Sequence, residues 1–313
     1  MKVAIVGVQG IGRHHAKWWQ MEGACPCAFV GSTDQSVAQA KKMLDQHLNQ
    51  EIPGFSDVSS MLRQVRPEIV DICSPPALHA HHCEIALEAG CHVLCEKPFL
   101  YQDSVPSSQL LQRADSIVRL AQRRNRRLGF CFQYVESIRF LGQLWDEIRQ
   151  GERIFRMEGI LGSPAKGRSS DPARVWVDLA PHPLSAIQTF YSEYQPDWES
   201  LSLRFEGYHA DAEFDLLNQG KVLCQCKIRT FNTEIPPSNV RRFLFNDIQF
   251  DIEGFRDDKG IFQARVVWDG GVRDTSDFMR EVIRRFLNGE ISASGQMACQ
   301  NMEWMLKILE RPF

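Results

Sequence analysis

Apolar and polar positions follow one rhythm over the first part of the chain and another after it. Up to Arg124, short apolar runs alternate with longer stretches of helical period. Val3–Val6 precedes a helix over Gly12–Glu22, and Cys27–Gly31 precedes one from Ser36 to Leu48. A short helix is expected at Asp57–Val65, then a strand at Ile69–Cys73 that stops at Ser74-Pro75-Pro76. His79–Ala89 reads as a helix closed by Gly90, Cys91–Cys95 as a strand, Val105–Arg124 as a long helix and Leu128–Phe132 as another strand. Strands separated by crossover-length helices imply a mostly parallel sheet covered on both faces, an α/β domain.

Beyond residue 150 the alternation shortens. Ile154–Leu161, Leu201–Glu206, Ala210–Leu217, Lys221–Thr230, Arg241–Phe245, Ile248–Ile252 and Phe262–Val267 read as successive strands. Helices are expected at 182–192, at 274–288 and over Gln296–Leu309. Strands in succession with few helices between them indicate a large, mostly antiparallel open sheet in an α+β domain. The division is placed at 1–127 and 128–313. The loop GSPAKGRSS, 162–170, has the polar, glycine-rich make-up of a segment lying over a site.

Composition narrows the classes. A chain of 313 residues with 43% hydrophobic and 24% charged side chains has ample material for one large or two medium cores. A net charge of −3 gives no reason to expect nucleic acid or an anionic membrane as partner. No apolar run approaches the ~18 residues of a membrane span. The ten cysteines are scattered through apolar stretches, as expected of reduced thiols in a cytoplasmic protein. His79, His81, His82 and Cys83 look like metal ligands, but neighbours on one helix diverge, and no metal is expected. The basic run ending at Arg127 reads as a solvated helix end.

The candidate chemistry begins at GVQGIG, residues 7–12. A strand, a tight turn and a helix N-terminus bring backbone N–H groups and the positive end of a helix dipole to one point, where a pyrophosphate fits. Gly7 and Gly12 hold the outer places of G-x-G-x-x-G, Gln9 replaces the second glycine, and Gly10 and Ile11 follow. After the second strand come Ser32, Thr33 and Asp34. Hydroxyl side chains at Ser32 and Thr33 would accept a 2′-phosphate without repulsion, a slight lean to NADP over NAD. Equally, the trio could cap the next helix.

The segment DICSPPALHAHHCEIALEAGCHVLCEKPF, residues 71–99, is the most specific. It resembles the Gfo/Idh/MocA family, the glucose-fructose oxidoreductase and inositol dehydrogenase group. The likeness runs through Arg13 and His15, this block, Gly129–Tyr134, the stretch from Asp178 to His182, and Asp277-Phe278. It implies a Rossmann domain for 1–127 and a substrate-binding and oligomerisation domain for 128–313. It further implies NAD(P) as cofactor, a polyhydroxylated small molecule as substrate, and a homodimer or homotetramer formed through the second sheet. Ser74, Pro75, His79, Glu96 and Lys97 then join Gly7, Gln9, Gly10, Ile11, Gly12, Ser32 and Thr33 as cofactor contacts.

The resemblance also implies the catalytic group. Lys97 stands beside nicotinamide and substrate, in a bend fixed by Pro98. The family pattern D-x-G-x-H-x-x-D fits Asp178 and His182, with Ala180 and Ser185 in the third and last places. Alcohol oxidation needs a base for the hydroxyl proton as hydride leaves carbon, and histidine titrates in a suitable range. His182 is the expected acid/base, Asp178 its support, and Lys97 the stabiliser of developing alkoxide. Gln133 stands where many relatives carry arginine, and Gln133 and Trp176 are expected substrate contacts, with Arg174 as another wall residue. Other readings remain: a cofactor-binding regulator without turnover, an imine or tetrapyrrole reductase, or a redox-assisted glycosidase.

Overall fold

The computed structural model describes residues 1–236 and 239–311, which divide into two compact units. The first comprises Met1–Phe132 and Met279–Met302, the second Gln133–Phe278 and Glu303–Phe313.

In the first unit the order is β1 (Lys2–Val6), α1 (Gly12–Met21), β2 (Cys25–Val30), α2 (Asp34–Leu48), β3 (Gly54–Phe55), α3 (Val58–Val65) and β4 (Ile69–Ile72). Then follow α4 (Pro76–Glu88), β5 (His92–Cys95), α5 (Ser107–Arg123) and β6 (Leu128–Phe130). All six strands pair in parallel in the order β3-β2-β1-β4-β5-β6. That is the doubly wound order, and it reverses direction between β1 and β4, where the carboxyl ends of the strands open a crevice. Val3, Ala4, Ile5, Ile69, Val70 and Ile72 are fully buried, as strands covered on both faces require.

A single cut after residue 127 does not separate the two bodies. Strand β6 pairs with β5 in the first sheet. The later helix α9 (Phe278–Leu287) lays Met279, Val282, Ile283 and Phe286 into the core built by Val3, Ile5, Trp19 and Phe29. Glu22 at the end of α1 receives Arg280 at 2.6 Å and Arg284 at 2.9 Å. The reading along the chain followed the change from helical to strand rhythm. The apolar stripe of α9 instead finds its partner near the start of the chain, on α1, where Phe286 meets Trp19 edge to face.

The second unit opens with α6 (Gln133–Arg149), β7 (Arg156–Pro164), α7 (Pro172–Leu179) and α8 (Pro181–Tyr191). Seven strands follow, beginning with β8 (Pro196–Glu206), β9 (His209–Asn218) and β10 (Lys221–Thr233). The next three are β11 (Val240–Phe245), β12 (Ile248–Arg256) and β13 (Phe262–Trp268), and β14 (Gly271–Ser276) completes a sheet of eight. Helix α10 (Gly295–Leu309) starts in the first unit and ends in the second. The sheet runs β14-β13-β12-β11-β7-β10-β9-β8 and is antiparallel except where β7 meets β10. The helix expected at 274–288 is corrected here, because residues 271–276 pair with β13, where Asp274 answers Arg265 across the strands at 2.6 Å. The sequence pattern assigned no element to α6 or α7.

Alternation along β9 and β10 buries Ala210, Ala212, Phe214, Cys224, Cys226 and Ile228. The opposite face carries ion pairs such as Arg229–Glu158 at 2.8 Å and Arg242–Asp251 at 2.7 Å. Helix α8 can lie close on β7 because Gly159 has no side chain. A Cβ there would stand 2.7 Å from the Pro183 side chain and 3.3 Å from Phe243. Among the described residues no helix is long and apolar enough to cross a membrane.

Gly159→Ala should therefore push α8 away from the sheet and destabilise the protein by about 1–3 kcal/mol, as overpacked cores do. A lowered urea midpoint with an unchanged slope would register it; an unchanged midpoint would show that α8 has slack.

Candidate functional site

Strand β1 delivers the chain into Gly7, whose φ of +90° favours glycine. A Cβ on Gly7 would lie 2.7 Å from Cys73 O and Ser74 N, and one on Gly12 would lie 2.1 Å from Gly7 O. These two glycines are fixed by backbone against backbone. Gly10 meets nothing within 4 Å, and Gln9 is exposed. The first turn of α1 has no side-chain cap and no acidic residue. Its N–H groups and dipole thus fit an anion such as the pyrophosphate of a dinucleotide.

At the carboxyl end of β5, Glu96 and Lys97 precede a cis Lys97–Pro98 peptide. Glu96 Oε2 accepts the Lys97 backbone N–H at 3.0 Å. Its other oxygen lies 3.2 Å from His15 Nε2, an ion-pair contact rather than an aligned hydrogen bond. On the far side, His15 Nδ1 donates to Asp71 Oδ2 at 2.9 Å, and Trp19 Nε1 donates to the same oxygen at 2.6 Å. His15 and Asp71 are fully buried. Burial alone would depress the histidine, but the neighbouring Cys73 sulfur and the Asp71 carboxylate lift its pKa well above the usual value. Burial drives the Cys73 thiol itself far up, so at neutral pH it is uncharged and the carboxylates carry the attraction. Burial would raise Glu96, yet the contact with His15 prevails and lowers it.

In the second unit, α7 ends at Leu179 and α8 begins at Pro181, with Ala180 between them in helical conformation (φ −62°, ψ −28°). Asp178 and His182 are therefore about one turn apart. Asp178 Oδ2 lies 3.8 Å from Arg168, whose guanidinium donates to the backbone of Ala165 and Pro164. The His182 ring meets the Tyr134 ring edge to face at 4.9 Å. Burial raises the Tyr134 pKa, so the ring stays a phenol beside the imidazole. Ser185 is buried and donates to His182 O at 2.7 Å, holding the helix rather than replacing a carboxylate.

Residues 1–132 match the model described as "Oxidoreductase family, NAD-binding Rossmann fold". Over these residues the chain is similar to the NAD-binding domain of the Gfo/Idh/MocA oxidoreductases. D-glucoside 3-dehydrogenase of Escherichia coli is 35% identical over 99 residues, 31% of this chain and 27% of that protein. UDP-N-acetylglucosamine 3-dehydrogenase of Acidithiobacillus ferrooxidans is 27% identical over 40% of this chain and 34% of its own length. The matches thus span about a third of these curated relatives. The fold likeness is wider. The solved structure of scyllo-inositol dehydrogenase from Lactobacillus casei, with NAD(H) and scyllo-inositol bound, superposes at a TM-score of 0.71 with 17% identity, covering 98% of this chain and 95% of that one. The solved Acidithiobacillus enzyme gives 0.68 at 18% identity, over 98% and 96%.

Against this Gfo/Idh/MocA frame, several expected contacts take other roles. Thr33 caps α2, accepting from Ser36 N at 3.1 Å while Ser36 Oγ accepts from Thr33 N at 3.0 Å. Its hydroxyl is committed to the helix, while Ser32 remains exposed. His79 is fully buried, with Nδ1 about equally near Pro98 O and Phe99 O and Nε2 2.7 Å from Ser74 O. It buckles two loops together and offers no ring nitrogen to a cofactor. Trp176 is fully buried against Phe205, with Nε1 donating to Met305 O at 3.1 Å, so it packs the unit and does not line a pocket. Arg174 is exposed, its backbone N–H bound by the Asp171 cap. Pro75 and Ile11 stand just before α4 and α1 without capping them through a side chain, and Gln133 opens α6, half-buried.

Other pairings escaped the sequence reading. Ser74 Oγ pairs with His82 Nδ1 at 2.9 Å, and burial, then the nearby His81 and His79, push His82 down to about 4. The Asp71–His15–Trp19 group had a readable signal. An aspartate within the apolar strand IVDI must find buried donors, and His15 and Trp19 are four apart on α1, on one face. Arg168 lies in the GSPAKGRSS loop, and Tyr134 follows Gln133.

Two outcomes follow for this domain. Gly12→Ala should weaken NADH binding by ~10-fold or more, whereas Gly10→Ala should leave it within ~3-fold, since only the first Cβ meets backbone; fluorescence titration compares them, and equal losses would contradict the assignment. For pH, a raised histidine pKa adds stability that is full below about 6.5, its unfolded value, and is lost as pH rises through the native value. The stability difference between the protein and its His15→Gln variant, from urea melts, should be largest below that pH and shrink as pH rises. A difference that grows with pH would reverse the assignment.

Proposed function

We propose that the protein is an NAD(P)-dependent oxidoreductase, a dehydrogenase that moves hydride between nicotinamide and a hydroxyl or carbonyl carbon of a sugar, sugar derivative or cyclitol. Lys97, Asp178 and His182 form its catalytic group. The observation that carries the proposal is the Asp178–His182 pair, aligned across the α7–α8 joint in a chain whose first 132 residues are similar to a Gfo/Idh/MocA cofactor domain. The sugar and cyclitol substrates named for its relatives point the same way.

Nicotinamide, when bound, supplies the hydride acceptor or donor. In the oxidative direction neutral His182 takes the hydroxyl proton as the C–H bond breaks, and in reduction it returns the proton to the carbonyl oxygen. The Tyr134 ring against one edge limits its rotation. Asp178 orients the imidazole or binds an adjacent hydroxyl, and Arg168 beside it sets the direction of its carboxylate. The Lys97 ammonium stabilises negative charge growing on the substrate oxygen. Ser32 in place of an acidic residue keeps the slight lean to NADP. The charged outer face of the eight-stranded sheet is the surface through which a homodimer or homotetramer would form.

His182→Ala should lower kcat by ~100-fold or more, the usual worth of a general base, while NADH affinity stays unchanged. The assay is nicotinamide absorbance over a panel of polyols and sugars. Full activity in the variant removes His182 from this role, and binding without turnover by the unaltered protein favours a regulator.

A further inference from the structure

His15 takes no part in the chemistry above, yet few side chains in the first unit are held from so many directions. It is fully buried, and both ring nitrogens face carboxylate oxygens, Nδ1 at 2.9 Å from Asp71 and Nε2 at 3.2 Å from Glu96. A neutral imidazole has one N–H and one lone pair, so either tautomer would set its lone pair against a carboxylate. Only the imidazolium turns positive charge and no lone pair toward both carboxylates, with an ion-pair contact at Nε2 and the Cys73 sulfur also 3.3 Å from Nδ1. Trp19 supports the Asp71 end alone, and Glu96 Oε2 is occupied by the Lys97 N–H.

We infer that His15 is a positioning residue: clamped as a cation between Asp71 and Glu96, it bolts the first turn of α1 to the bend that carries Lys97. The cofactor loop and the lysine then form one rigid piece, joined through side chains beneath the crevice. The titratable groups facing His15 are Asp71 and Cys73 at the end of β4, Glu96 after β5, and Cys131 after β6. Burial raises both thiols, leaving the two carboxylates as the charges that hold the ring. Lys97 is attracted to the same Glu96 carboxylate, so the two cations share it. The consequence for catalysis rests on the dehydrogenase reading; the consequence for the Lys97 backbone does not.

Amide hydrogen exchange in the full chain tests it by NMR. In His15→Gln the Lys97 amide should exchange ~10-fold faster or more, while Ala4 and Ile5 in β1 stay within ~2-fold, the mark of local opening. Glu96→Gln keeps an oxygen for the Lys97 N–H but loses the ion pair, and it should show the same acceleration if the first variant does not fold. Unchanged exchange at Lys97 in either folded variant overturns the inference. With an active substrate, kcat should fall ~10-fold in both variants with little change in KM for the cofactor, as loss of positioning does. If the unaltered protein turns over nothing, the dehydrogenase reading fails and the exchange rates alone decide the role of His15.

Discussion

A carboxylate in the interior of a buried parallel strand is the constraint from which the first unit follows. Asp71 has no exposure, and leaving it without donors would cost several kcal/mol. Its oxygen is met by an indole N–H and an imidazole N–H from α1. Helix α1 is thereby fixed in rotation and in height on the sheet, which sets where its uncapped first turn lies relative to Gly7. The packing of Gly12 on Gly7 O depends on that height, since there is no room for even one carbon between them. The anion site is thus a by-product of satisfying a buried acid.

The same acid reaches the lysine bend through His15 and Glu96, so two strand ends and the first turn of α1 share one polar node in an otherwise apolar core. Such nodes cost stability relative to an apolar core unless each member is satisfied. Here the members tie α1 to β4 and to the segment after β5. His79 performs the corresponding task on the other side of the bend, joining the Ser74 loop to Pro98 and Phe99. Two buried histidines, one raised by its acidic neighbours and one depressed by burial, therefore hold Lys97 from opposite ends of its loop.

Much of this was legible in the residues. The alternation of strands and helices gave the parallel sheet because crossover helices leave few other topologies, and the shortened rhythm gave the antiparallel one. The boundary was less legible, since α9 carries an ordinary amphipathic stripe and nothing in a stripe says which core it will join. The helix expected from residue 274 failed because β14 is short and charged, and its strand form comes from β13 beside it. Local pattern could not supply a neighbour. Trp176 and His79 were misassigned for a related reason: an aromatic or imidazole near a motif reads as a ligand contact until burial on every side is known. Thr33 was readable either way, and the capping box decided it.

The glycine loop shows what spacing omits. Counted along the chain, Gln9 breaks the pattern and Gly10 mends it one step late. In three dimensions neither place is the critical one. Crowding falls on Gly7 and Gly12, where added carbon meets main-chain atoms that cannot move without shifting β1, the Ser74 turn or α1. Gln9 and Gly10 stand exposed, where a side chain changes the lip of the crevice and not its floor. A motif written as letters weighs each glycine equally, while the physical requirement weighs each by what its absent Cβ would touch. On that measure the loop is regular, and the irregularity in its spelling marks the one stretch of its backbone under the least constraint.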